Sequence, residues 1–183
     1  LSTKELRLAG LRINPKTNIG SRITYYNNIK LKDFNDSKAD PKEIVGMPKN
    51  PKISNLSWSP NEKMIAFTNT TDLGVELWIL NLKSNSANKV FNLKLNSNIG
   101  NVINWFSDSN SLLVKVIPKD KMDLIESTNV VPSGPTISSN FGEKAQNRTY
   151  QDLLKNKTDE FNFEQLATSE IYKVTLDGDY KKW

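Results

Sequence analysis

Along most of this chain, apolar residues come in short runs broken by polar turns, not in the long 3.6-residue stripe of a helix. Met64 to Thr70 (MIAFTNT) and Leu112 to Ile117 (LLVKVI) are rich in β-branched and aromatic side chains, which favours extended structure. Each run follows a polar turn, and each turn follows a tryptophan. The stretch LSWSPNEKMIAFTN from Leu56 aligns with INWFSDSNSLLVKV from Ile103, so that Trp58 and Trp105 stand 47 residues apart. Pro60-Asn61 and Asp108-Ser109-Asn110 supply the turn chemistry that reverses the chain between the paired runs.

A second match lies downstream. ELWILNL from Glu76 aligns with EIYKVTL from Glu170, and both end in polar turns, Lys83-Ser84-Asn85 and Asp177-Gly178-Asp179. NIKLKDF from Asn28 is a weaker third copy, 48 residues before Glu76. Several short strands repeating about every 40–50 residues are the signature of a β-propeller, in which each repeat folds as one small antiparallel blade. The fold expected is all-β, a partial β-propeller of about three blades spanning residues 6–48, 53–95 and 101–183 of one domain. Trp58, Trp78 and Trp105 are expected to fill the space between blades. Three blades do not close a ring. The open arc leaves sheet edges and faces exposed, which favours self-association of the isolated piece or assembly with other chains.

The third repeat is too long. The partner of Glu76 is due near residue 123 but falls at Glu170, an excess of 47 residues. The surplus, about 119–168, has no Trp-turn-strand unit. It passes through VVPSGPTISSNFGEKAQ, rich in Pro, Gly and Ser, and then gives two helix patterns. One is Thr149 to Lys155, opened by Thr149. The other is Asp159 to Ala167, with Thr158 as cap and Phe163, Leu166 and Ala167 as apolar face. The third blade is therefore expected to carry a helical insertion on one face of the ring, a position suited to a lid or a docking element.

Composition narrows the chemistry. The 183 residues include no Cys and no His, which removes disulfides, Cys/His zinc sites, Cys nucleophiles and any Ser-His-Asp triad built within the chain. No EF-hand-like acidic cluster and no phosphate-binding Gly-rich loop occurs, and no metal or cofactor is expected. Net charge is +5 with pI near 9.3, but the lysines are scattered singly rather than clustered with aromatics, so nucleic acid is not the expected partner. Mean hydropathy is −0.55 and no apolar run approaches the roughly 18–20 residues of a spanning helix. The chain begins at Leu1 rather than Met and reads as part of a longer protein.

Three strings carry a resemblance: LAGLRINPKTN (Leu8 to Asn18), WSPNEKMIAFTNTTDLGVELWILNL (Trp58 to Leu82) and NRTYQDLLKN (Asn147 to Asn156). Together they resemble the N-terminal propeller of prolyl-oligopeptidase-family serine peptidases, in the glutamyl endopeptidase-like branch of bacteria and plant chloroplasts. The resemblance implies a propeller set over an α/β-hydrolase domain that supplies Ser, Asp and His from elsewhere. No catalytic residue maps onto this chain, which has neither G-x-S-x-G nor histidine. The implied role is to gate and shape peptide access to that domain. The implied partners are a peptide and the hydrolase domain, in a secreted, periplasmic or plastid protein. A branch that cleaves after Glu needs a cation for the substrate carboxylate. Arg148, with Tyr150 beside it, is the substrate-binding candidate, because a guanidinium pairs a carboxylate bidentately. Pairing of Arg148 with Asp152 or Glu143 is the alternative. The Trp-Ser-Pro strings also occur in TolB-like and WD-type propellers, so a stand-alone scaffold that binds other proteins is the competing function.

Overall fold

A computed structural model describes residues 5–36, 38–126, 142 and 152–183. Two four-stranded antiparallel meanders form its body. The first contains β4 (Ile53–Trp58), β5 (Met64–Thr71), β6 (Gly74–Asn81) and β7 (Ser86–Lys89), in spatial order β4-β5-β6-β7. The second contains β8 (Ile103–Trp105), β9 (Ser111–Val116), β10 (Glu170–Thr175) and β11 (Tyr180–Lys182), in order β8-β9-β10-β11. A smaller sheet of β1 (Leu6–Leu8), β2 (Leu11–Asn14) and β3 (Ile19–Gly20) lies near α1 (Lys157–Ala167), the helix inserted between β9 and β10. The architecture is a partial propeller with a helical insertion in its later blade.

The 47-residue repeat holds down to single hydrogen bonds. In one turn the Glu62 amide donates to Ser59 O (2.9 Å) and the Ser59 amide to Met64 O (2.9 Å). In the other, the Ser109 amide donates to Phe106 O (3.0 Å) and the Phe106 amide to Ser111 O (3.0 Å). Asn61 Oδ1 and Asp108 Oδ1 accept from the amides of Lys63 and Asn110. Glu62 and Ser109 both take left-handed backbone, at φ 57° and 58°. Glu76 sits opposite Asn69 and Glu170 opposite Val116, positions that are themselves 47 residues apart. Each glutamate binds an aromatic two residues on and a lysine on the outer strand. Trp78 Nε1 and Lys89 donate to Glu76, while Tyr172 Oη and Lys182 donate to Glu170. These bonds hold both carboxyls below the ordinary glutamate range: the Lys182 bond leads at Glu170, and at Glu76 Lys89 and Trp78 overcome an upward push from burial.

Side-chain alternation explains the layers. Met64 and Ala66 of β5 and Val75, Leu77 and Ile79 of β6 face the second sheet, where Leu112, Val114, Val116, Tyr172 and Val174 meet them. Ile65, Phe67 and Leu80 face the other way, into a cluster covered by Ile29, Leu31, Ile44 and Met47. Phe67 is fully buried and stacks with Trp78, with ring centroids 6.3 Å apart. Full burial of one such side chain stabilises the fold by about 1.5–3 kcal/mol.

Of the three tryptophans expected between blades, Trp105 lies between the two meanders, and Trp78 lies on the opposite face of the first. Trp105 packs against the core between the sheets, and its Nε1 donates across to Ser57 O of the first meander at 3.1 Å. Trp78 packs on the Phe67 cluster. Trp58 departs from the expectation: it is 57% exposed.

A short connector joins the layers. The Leu95 amide donates to Val75 O (3.0 Å), the Ile117 amide to Lys94 O (3.0 Å) and the Asn96 amide to Lys115 O (3.0 Å), so the connector pairs with both meanders. The Ser97 amide donates to Asn18 O (2.9 Å), which ties in the small sheet. The buried Asn96 side chain donates from Nδ2 to Leu166 O (3.0 Å) and Thr168 O (2.9 Å). Those are carbonyls that the end of α1 leaves without helical partners.

Gly178, in the β10–β11 turn, has φ +91°, and a Cβ there would stand 2.6 Å from Val90 O of the first meander's exit. Gly10 has φ +77° with nothing within 4 Å of its Cβ position. Gly10→Ala is expected to cost about 1 kcal/mol from backbone conformation alone. Gly178→Ala should cost at least about 1 kcal/mol more, because the close approach adds to the same strain. Urea unfolding of the two variants checks the order.

Candidate functional site

The insertion face is built from β1–β3, the segment 117–126 and α1. The β1–β2 hairpin turns at Ala9 and Gly10, both left-handed at φ 50° and 77°, the geometry that matches strand twist in a two-residue turn. This register sets Arg7 directly opposite Arg12. Like charges across a strand pair repel, and Glu5 resolves the conflict. Its carboxylate lies 3.1 Å from Arg7 Nε, 3.3 Å from Arg12 Nη1 and 3.5 Å from Arg22 Nε, and it accepts from the Ser21 hydroxyl. The Ser21 bond is the largest influence on Glu5. With Arg7, Arg22 and Arg12 it holds the carboxyl down to about 2, against a desolvation that works upward. Asp152 approaches Arg12 from the other side at 3.8 Å. Three guanidiniums thus face two carboxylates.

The far side of the small sheet is apolar. Leu8 and Ile13 pack with Leu166 of α1, flanked by Leu6, Leu11, Leu124, Leu154 and Phe163. The helix cap is Asn156, whose side chain accepts from the Asp159 amide (2.9 Å), rather than Thr158. Asn162 is buried within α1: Ile125 donates its amide to Asn162 Oδ1 and accepts from Asn162 Nδ2, both at 2.8 Å. Segment 121–126 is thereby held along the helix. Beside it Lys121 Nζ donates to the buried Asn18 Oδ1 (2.8 Å), and burial lowers the lysine's pKa. Between β1 and α1 lies a cleft of about 470 Å³ that Glu5, Arg7, Pro15, Ile125, Glu126 and Asp159 help to line. Its charge is mostly acidic, so it does not suit a carboxylate.

Arg148 and Tyr150, the substrate-binding candidates, lie outside the described residues, as does the start of the helix expected over Thr149–Lys155. The described end of that stretch is a correction. Asp152 to Lys155 is not helical, because Asp152 takes left-handed backbone at φ 59° and its carbonyl accepts from the Gly10 amide at 3.0 Å. The arginine cluster was not picked out from the sequence. Its signal is the Ala9-Gly10 turn, which places residues 7 and 12 opposite each other. Among the described residues no group of His, Cys, Asp or Glu could hold a metal ion, and no helix is long and apolar enough to cross a membrane. Without histidine or cysteine, this face can position, screen and exclude, but it holds no nucleophile with a histidine base.

The paired meanders and their repeat define a segment of a β-propeller. No family model matches the chain. It is 32% identical over 193 residues to the probable chloroplastic glutamyl endopeptidase of Arabidopsis thaliana, covering 100% of this chain and 20% of the relative. The probable chloroplastic glutamyl endopeptidase of Oryza sativa subsp. japonica is also 32% identical, over 99% of this chain and 20% of the relative. The chain spans about a fifth of the length of these curated relatives. It is a propeller segment of the prolyl-oligopeptidase family, similar to the glutamyl endopeptidase-like branch. Among solved structures, TolB from Acinetobacter baumannii superposes with a TM-score of 0.38 at 12% identity, over 78% of this chain and 23% of that one. An acylaminoacyl peptidase in complex with a chloromethyl ketone gives 0.40 at 18% identity, over 84% and 20%. Both superpositions are partial, and the propeller assignment rests on the sheets and their repeat.

Glu5 supplies a pH dependence with a defined sign. Its folded pKa, about 2, lies below the ordinary 4.5, so its contribution is present above about 4.5 and is lost as pH falls toward 2. Glu5→Gln is expected to remove that part of the acid-side loss, seen as a smaller difference in urea midpoint between neutral and acid solution than in the parent. An unchanged difference would show that Glu5 does not organise the arginines.

Proposed function

We infer that this chain is the non-catalytic propeller segment of a serine peptidase, and that its insertion face gates and shapes peptide access to an α/β-hydrolase domain elsewhere in a longer protein. The observation that carries this reading is the end-to-end likeness of a chain without His or Cys to glutamyl endopeptidases five times its span. Such a segment contributes by excluding water and unsuitable peptides and by orienting a substrate, effects that act through binding rather than bond breaking. The partners in this reading are a peptide and the hydrolase domain.

Arg148, with Tyr150, is assigned to the substrate's glutamate side chain. The Glu5 cluster supports an arginine from the 143–151 stretch in this role by a negative argument: Arg7, Arg12 and Arg22 are already committed to Glu5, and Arg12 to Asp152 as well. In the longer protein, Arg148→Ala is expected to lower kcat/KM for a peptide cleaved after Glu by about 10–100-fold, the scale of one charge-assisted pair. The matched Gln peptide should change far less. An unchanged Glu/Gln ratio removes Arg148 from the role. Failure of the longer protein to react with a serine-directed fluorophosphonate removes the peptidase reading itself.

A further inference from the structure

The cleft between β1 and α1 measures about 470 Å³, within the roughly 300–1,000 Å³ of small-ligand sites. Its walls are apolar: Leu6, Leu8, Pro15, Leu124 and Ile125. Ile125 is 41% exposed, a large apolar side chain held at the surface. The walls are also fixed. Asn162 lines the cleft with both polar atoms of its amide on the Ile125 backbone, and Glu5 is gripped by Ser21 and three arginines. A site built in advance loses little binding energy to ordering.

Charge decides what such a cleft takes. Arg7 is the cation in its lining, and it is paired with Glu5 at 3.1 Å, so these two cancel. Glu126 and Asp159 also line it. Arg12 and Arg22 reach Glu5 from outside the lining; counting them, with Asp152 beside Arg12, still leaves carboxylates in excess by four to three. Asp159 Oδ2 accepts from the Lys155 amide at 2.9 Å, while Oδ1 accepts no hydrogen bond among the described residues. The positive end of α1 amounts to about half a unit charge, which the Asp159 carboxylate alone outweighs. Apolar walls with excess carboxylate fit an aliphatic stem that ends in a cation.

We propose that this cleft binds a lysine or arginine side chain of the peptide substrate, its stem on Leu124 and Ile125 and its cationic head on Asp159 and Glu126. The inference rests on the peptidase reading and adds to it a second contact, with a basic residue at a different place in the peptide from the glutamate assigned to Arg148.

The test is a set of peptides with one glutamate as cleavage site and either lysine or norleucine at each other position in turn. Norleucine keeps the stem and removes the charge. In the longer protein, kcat/KM is expected to favour lysine over norleucine at one position by about 5–10-fold at low salt, the scale of a partly exposed charged contact, and to do so through KM. High salt should shrink the preference. Asp159→Asn and Glu126→Gln should each lower the lysine/norleucine ratio, and the double variant should bring it to parity. The ratio is taken within one protein, so a general loss of folded enzyme cancels. Absence of a lysine preference at every position overturns the proposal, and so does a preference that the double variant retains, since the cation is then held elsewhere. If the longer protein does not react with fluorophosphonate, the peptidase reading falls and fluorescence polarisation of the same peptides, labelled with fluorescein, tests the cleft. Tighter binding of a lysine peptide that the double variant abolishes then supports the basic-side-chain site, and equal binding of lysine and norleucine peptides overturns it.

Discussion

The backbone of Lys94–Ser97 is the constraint on which the arrangement depends. A propeller blade presents two faces, and neighbouring blades touch mainly through side chains, which tolerate sliding. This connector adds directional bonds at the seam: to Val75 on one meander, to Lys115 and Ile117 on the other, and to Asn18 of the small sheet. Its buried Asn96 then binds the carbonyls at the end of α1. A buried amide that satisfies two acceptors at the helix end fixes position as well as energy, and Asn98 Nδ2 adds a second bond to Leu166 O at 2.8 Å. The insertion is thereby referenced to the blades rather than tethered by its chain ends alone.

The meanders were legible because their signal is local and repeated. Trp58 and Trp105, the turns after them, and the Glu76 and Glu170 strands recur at a spacing that survives in the hydrogen bonds. The 47-residue excess located the insertion for the same reason: a fixed register makes surplus chain visible. Where the reading failed, the deciding contact was non-local. Asp152 looks like the third residue of a capped helix, yet Gly10, far away in sequence, takes its carbonyl. Asn156 outcompetes Thr158 as cap, and the polar Asn162 is buried because the backbone of Ile125 pairs with its amide. Trp58 shows the opposite limit. Its residue type says core, and its exposure is set by which neighbours are present.

The same logic governs the charged face. Arg7 and Arg12 are brought together by a turn and made compatible by Glu5, so their first task is structural. Arg7, Arg12 and Arg22 are all neutralised within this face by Glu5.

The central claim is that the connector welds the blades, the small sheet and the insertion into one cooperative unit. Native-state hydrogen exchange of the Leu95, Asn96 and Ile117 amides tests it most directly. The account predicts that all three open with the same free energy as amides in the middle of β5 and β9. Exchange at the rate of an exposed turn such as Asp72-Leu73, while β5 and β9 stay protected, would contradict it.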